Sequence, residues 1–297
     1  MSSPSVPVHG KTAAIYRMRP NGFKGDGLND ASWGTGYNGV ASAYFEVVIQ
    51  TEGTPDQFKW RKDGGAWTEN VAITGAAQTL SDGQTITFAA TTGHTANDQW
   101  VIGNLKDEAC TESGVEAQIT DSAKLLLNAN AVPIFTDSGG KNVIEKQLVL
   151  GKAIFDGNVT TVTVTGNNGY IVRSALELVA YSFDWHFTAG VDLAVIPRHQ
   201  KQWKEKLPGQ AEASGGAESY FIGGSSFFDA LKEAAEGGDK YFLLELYTYE
   251  PDGDQTGDHF AVWAAIKGAD INAPVNEVMK EPITFEFHGI PKFVANT

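Results

Sequence analysis

Several short motifs in this chain carry the residue types of catalysis or ligand binding, and in each case the flanking residues decide what the motif can do. Gly34-Thr35-Gly36-Tyr37-Asn38-Gly39 matches the glycine-rich phosphate cradle G-x-G-x-x-G. That chemistry needs a helix whose N-terminus meets the pyrophosphate, whereas a strand-like run follows here, so dinucleotide binding is not expected. Asp137-Ser138-Gly139 has the form of half an aspartic-protease site, which works only when two carboxylates share a proton; no second copy exists, and the segment reads as a turn. Asp252, Asp254, Thr256 and Asp258 have the spacing of the first ligands of a calcium loop, but Trp263 stands where the closing glutamate belongs, which leaves weak, adventitious cation binding at most. The six histidines show no H-x-x-x-H or Cys-paired spacing, so no zinc site is expected. Asp184 and His186 share one face of a strand pattern without a nucleophile beside them. No catalytic residue, metal ligand or cofactor-binding residue is assigned, and a non-enzymatic chain without a cofactor is expected.

Three aromatic residues remain as ligand candidates. Trp60, Trp67 and Trp100 lie in a β-patterned stretch and together would make a platform for sugar rings; the competing reading is that they are core. A carbohydrate-binding β protein, adhesive or lectin-like, is therefore the alternative function. The formal net charge of −14 speaks against a protein that grips nucleic acid, because phosphate binding depends on Lys and Arg releasing counterions. Acidic walls suit solubility, and also a conduit that must not stick to DNA.

The elements that would position these residues are mainly strands. With 297 residues and 42% hydrophobic content, the chain can bury one large core or two small ones. No run approaches the roughly 20 apolar residues that span a bilayer, and Met1-Ser2-Ser3-Pro4-Ser5 lacks the start of a secretory signal, so a chain with no membrane contact that stays where it is made is expected. The single cysteine, Cys110, fits a reducing compartment. Residues 1–40 are rich in Gly, Asn and Pro apart from Ala13-Ala14-Ile15-Tyr16, and read as a flexible arm with one strand. From residue 41 to 105 the pairs and triplets Phe45/Val47/Ile49, Phe58/Trp60, Val71/Ile73, Ile86/Phe88 and Trp100/Ile102 alternate between turns about every ten residues, which predicts a compact β module. Residues 106–297 form the remainder. Within it, Val159–Thr165 and Ala175–Phe187 read as strands, 188–224 as a long loop and 225–236 as a helix opened by Ser225-Ser226 and closed by Gly237-Gly238. The run Tyr241–Tyr249 is apolar on nearly both faces, as in a strand covered on two sides. Phe260–Ile266 reads as its returning partner, and Ile283, Phe285 and Phe287 alternate with polar residues as a half-buried strand.

The order of these segments carries a family resemblance. Trp203-Lys204-Glu205-Lys206-Leu207-Pro208-Gly209, then Glu212–Phe221, the helix and the strand pair, resembles the major tail tube proteins of long-tailed bacteriophages. His9–Tyr16 resembles the opening strand of that family, and Asp270–Glu277 leading into Ile283–Gly289 its closing strands. Separately, Phe58–Thr68, Ala77–Gly83 and Thr91–His94 resemble a small β module that recurs in phage structural proteins. The resemblance implies a tail-tube-like β-sandwich or barrel with one flanking α-helix and an inserted β domain directed away from the channel. It implies self-assembly into stacked, six-membered rings in the virion tail, built in the host cytoplasm. Other tail proteins would be partners, and tape measure protein and DNA would pass through the lumen without specific binding. On this reading Trp203, Leu207, Pro208, Gly209, Tyr220 and Phe221 are the expected subunit contacts.

Overall fold

A computed structural model describes residues 14–25, 27–121, 127–131, 133–196, 205–220, 241–247, 258–269 and 280–294. The strands are β1 (Ala14–Met18), β2 (Phe23–Lys24), β3 (Ala31–Trp33), β4 (Ala43–Thr51), β5 (Gln57–Lys62), β6 (Thr68–Ala72), β7 (Gln78–Thr79), β8 (Thr85–Phe88) and β9 (Gln99–Ser113). They continue as β10 (Glu116–Ile119), β11 (Ile134–Asp137), β12 (Val143–Gln147), β13 (Lys152–Phe155), β14 (Val162–Tyr170), β15 (Glu177–Ile196), β16 (Glu205–Tyr220), β17 (Phe242–Tyr247), β18 (His259–Ala269) and β19 (Lys280–Val294). The expected mainly β fold class is what the chain adopts. Among the described residues no helix is long and apolar enough to cross a membrane. The predicted helix 225–236 lies outside the described residues.

Two compact units divide the chain. The first holds Met1–Tyr16, Leu178–Lys240 and Leu244–Thr297; the second holds Arg17–Glu177 with Tyr241–Leu243. In the first, the strands close into a barrel in the order β1-β15-β16-β19-β18-β17. Period-two patterning explains its wall: Ile283, Phe285 and Phe287 of β19 are buried while Thr284, Glu286 and His288 are exposed. Every residue of β17 is buried, as its two-faced apolar sequence predicts.

In the second unit the long strand β9 is the spine, with the order β12-β13-β10-β9-β4-β5-β6 and with β14 and β2 also paired to β9. The alternating residues read from sequence, among them Phe45, Val47, Ile49, Phe58, Ile86, Phe88 and Trp100, make one core beside the small sheet β3-β8-β7.

Three expectations differ from this arrangement. Residues 17–40 are not an arm: Phe23, Ala31 and Tyr37 enter the module core, and Trp33 Nε1 donates to the Asn21 carbonyl at 2.7 Å. The Gly and Asn of this segment supply turns that fold it back, as at Gly22, whose φ of 71° and closeness to the Val101 carbonyl exclude a Cβ. The module does not end at 105, because β9 runs through that point to Ser113 and carries the sheet on into β10 and β14. The segment 188–224 is not one long loop: Thr188–Ile196 and Glu205–Tyr220 are paired strands. Its Gly, Ala and Ser were misleading as loop signals, since a barrel wall needs small residues where rings pack. At Gly215 a Cβ would lie 2.6 Å from the His186 carbonyl oxygen and 2.7 Å from the Phe287 ring.

Candidate functional site

The β15–β16 hairpin is longer than the barrel it belongs to. Its register runs from Ser182↔Ser219 to Ile196↔Glu205, but β19 accompanies β16 only from Tyr220↔Lys280 to Ser214↔Glu286. Glu205–Ala213 therefore pairs with β15 alone among the described residues, and this part of the hairpin leaves the barrel as a ribbon about 30 Å long. A two-stranded ribbon is marginal in water, and its outer edge presents unpaired N–H and C=O groups.

Near the root of the ribbon, half-buried aromatic rings gather on the barrel strands. Trp185 and Phe187 of β15 stack at 6.4 Å, and both meet Phe260 of β18, at 5.8 and 5.1 Å between ring centroids. Phe260 in turn lies 5.3 Å from Phe293 of β19. Trp185 Nε1 donates to the Tyr247 carbonyl at 3.2 Å, which fixes this ring against β17. On another side of β17, the Tyr247 hydroxyl donates to the buried Glu245 carboxylate at 2.8 Å and its ring stacks on His259 at 4.5 Å.

Four of the six expected subunit-contact residues are described. Leu207, Pro208 and Gly209 are in the ribbon arm of β16, with Leu207 opposite Ala194 and Pro208 opposite Leu193. Tyr220 ends β16 opposite Lys280. Trp203 and Phe221 lie outside the described residues, as do Asp252, Asp254 and Thr256 of the calcium-like spacing.

The tryptophan platform does not exist as a surface. Trp100 is fully buried, with Nε1 donating to Asn29 Oδ1 at 3.1 Å and its ring 4.9 Å from Phe23 and 5.3 Å from Phe88. Trp60 packs on the same core beside Phe45. Trp67 alone of the three is turned elsewhere, with Lys59 Nζ 4.8 Å and Arg61 Cζ 4.4 Å from its ring centre. Strand alternation explains the split: Trp60 and its neighbours Lys59 and Arg61 must point to opposite faces.

The most constrained polar group was not visible in the sequence. The His94 ring is buried between two carboxylates, Nδ1 at 2.9 Å from Asp56 Oδ2 and Nε2 at 2.9 Å from Asp30 Oδ1. Burial acts to raise the Asp56 carboxyl, but the Gly53 N–H and the bonds from His94 outweigh it and hold the group below its ordinary value. The cluster ties three loops together. Gly34-Thr35-Gly36 is likewise structural, with the Gly34 N–H donating to the Thr85 carbonyl at 2.9 Å and no helix after it. Asp137 closes a turn by accepting the N–H groups of Thr160 and Lys141 at 2.9 and 3.1 Å, bonds that lower its carboxyl pKa, that from Thr160 most. Among the described residues no group of His, Cys, Asp or Glu is arranged to hold a metal ion.

No protein-family model and no curated protein matches the chain. Among solved structures it is similar to the tail of an empty gene transfer agent particle, with 15% identity, 41% of this chain and 87% of that one covered, and a TM-score of 0.32. It is similar to the same degree to the virion of a native gene transfer agent particle, with 15% identity, 42% and 92% covered, and a TM-score of 0.31. The SPP1 tail tube follows, with 16% identity, 38% and 63% covered, and a TM-score of 0.29. Likeness at this level identifies no family.

Proposed function

We propose that this chain is a structural subunit of a bacteriophage tail tube, assembling with copies of itself into stacked, six-membered rings around a channel. The observation that carries the reading is the β15–β16 ribbon, which leaves a closed barrel with a strand edge that has no partner among the described residues. Such an edge is satisfied when strands of neighbouring subunits add to it, and ring closure then removes free edges altogether. The order of sequence segments that resembles tail tube proteins supports the same reading, and Leu207, Pro208 and Gly209, named from that resemblance, lie on the ribbon. The net charge of −14 suits a channel that lets DNA and a tape measure protein pass without holding them. The chain then works in the virion tail beside other tail proteins after assembly in the host cytoplasm, without chemistry of its own.

Sedimentation velocity over a wide concentration range tests the proposal. Growth into large, uniform polymers supports it; a species that stays monomeric at every concentration contradicts it. The carbohydrate-binding alternative keeps only Trp67 with Lys59 and Arg61 on its side, and glycan binding by a non-polymerising chain would favour it.

A further inference from the structure

Asn followed by Gly is the dipeptide at which a carboxamide most readily closes on the next backbone nitrogen, because glycine has no side chain to hinder the approach. The chain has three such pairs, Asn21-Gly22, Asn38-Gly39 and Asn168-Gly169, and the fold treats them differently. Asn21 is half-buried and held at both ends of its amide: Nδ2 donates to Asn29 Oδ1 at 2.7 Å and Oδ1 accepts the Phe23 N–H at 3.1 Å. The nitrogen that would attack there, that of Gly22, donates to the Arg19 carbonyl at 2.8 Å. Asn168 is half-buried in β14. Its N–H donates to Asn104 Oδ1 at 2.8 Å, its Nδ2 to the Gly34 carbonyl at 3.3 Å, and its own carbonyl accepts Asn128 Nδ2 at 3.0 Å.

Asn38 is exposed, in the loop between β3 and β4. Its carboxamide lies against Gly83, where a Cβ would come within 3.2 Å of Asn38 Cγ, and makes no hydrogen bond among the described residues. The Gly39 N–H has no acceptor among them either. Position 39 cannot take a hindering side chain, since a Cβ there would lie 2.0 Å from the Tyr37 hydroxyl, which closes the loop by donating to the Ala41 carbonyl. The fold thus keeps the least hindered successor behind the one exposed asparagine of the three, with both reacting groups unengaged.

We propose that Asn38 is a site of spontaneous covalent modification, deamidating through a cyclic imide formed with Gly39. The Gly39 nitrogen loses its proton to hydroxide and attacks Asn38 Cγ; the bond from Cγ to the side-chain nitrogen breaks, and that nitrogen takes a proton from water and leaves as ammonia. Water then opens the imide. Breaking its bond to the side-chain carbonyl gives aspartate, and breaking its bond to the main-chain carbonyl gives isoaspartate. The net change is one water taken up and one ammonia released, with no oxidant or reductant. Either product carries a carboxylate that is charged at neutral pH. The new charge falls beside Asp82, whose carbonyl accepts the Asn38 N–H at 2.8 Å and whose carboxylate pairs with Lys62 at 2.8 Å. Isoaspartate also lengthens the main chain in the loop that seats Tyr37 in the module core.

The test is peptide mapping by mass spectrometry of the full chain, held for days in mildly alkaline buffer either native or unfolded in urea. In the native chain the Asn38 peptide should convert at least about tenfold faster than the Asn21 and Asn168 peptides, whose pinned amides must first open locally; in urea the three rates should converge. Asn38→Gln, whose longer side chain closes such a ring far more slowly, should lose most of the acidic species that accumulates on ion exchange, with circular dichroism matching the parent. An Asn38 peptide that stays intact in the native chain, or native conversion at Asn21 or Asn168 that keeps pace with it, overturns the proposal. So does an acidic species undiminished in the variant. Should the variant misfold, the peptide comparison on the parent decides alone.

Discussion

Replacing His94 by Ala removes the centre of the Asp30–His94–Asp56 cluster, and the cost follows from its geometry. Two hydrogen bonds of 2.9 Å to carboxylates are lost, each contributing about 1.5–3 kcal/mol. The Asp56 carboxylate stays buried and keeps only its backbone donors, among them the Gly53 N–H at 2.7 Å. The ring also fills space against Phe88, 5.2 Å away between centroids, and Trp100, 6.1 Å away. We expect a loss of about 4 kcal/mol in the second unit, within the range for breaking a buried pair by removing one partner. With a urea m-value of about 2 kcal/mol/M, the midpoint falls by about 2 M. Because the chain has two units, the assay is urea-dependent hydrogen exchange read on β4 and β9, which belong to the affected core. The companion chain with His94→Ala, Asp30→Asn and Asp56→Asn should recover part of the loss, since neutral amides are cheaper to bury. A midpoint shift below about 0.5 M for His94→Ala would refute the view that the cluster holds the module loops together.

Other consequences are checked as directly. Gly215→Ala places a methyl 2.7 Å from the Phe287 ring and 2.6 Å from the His186 carbonyl oxygen, so thermal unfolding of the barrel unit should shift down by the equivalent of about 2 kcal/mol, whereas Gly190→Ala in β15, with nothing within 4 Å of the added methyl, should leave it in place. Cys110 is buried, and burial pushes its thiol up to about 12, so native protein should react with iodoacetamide far more slowly than urea-unfolded protein at pH 8. The Asp56 carboxyl is held below its unfolded value of about 3.9, so its stabilisation is present above that value and is lost as the pH falls through the lower folded one; Asp56→Asn should flatten the acid side of the stability profile. An unchanged acid limb in that variant would contradict the assignment.

What the sequence made legible was whatever depends on neighbours along the chain. Period-two runs such as Ile283-Thr284-Phe285-Glu286-Phe287 carry their own burial pattern, and turn residues mark the module strands without help from partners. The β15–β16 hairpin was not legible, because Gly215, Gly216 and Ala217 are chosen for what packs on them across the barrel and look locally like a loop. Trp100 could not be told from a surface tryptophan, as its face is fixed only by β4 and β2 pairing to β9. His94 gave no signal at all: its two carboxylates lie 38 and 64 residues away in sequence, and only the sheet brings them to one ring. Phe187, Phe260 and Phe293 are similarly scattered over three strands, and only the barrel brings their rings together.

The most direct test of the assembly account is negative-stain electron microscopy of the purified full chain at high concentration. The account predicts hollow filaments of one constant width with ring-shaped end views. Discrete, compact particles at every concentration, with no filaments, would contradict it.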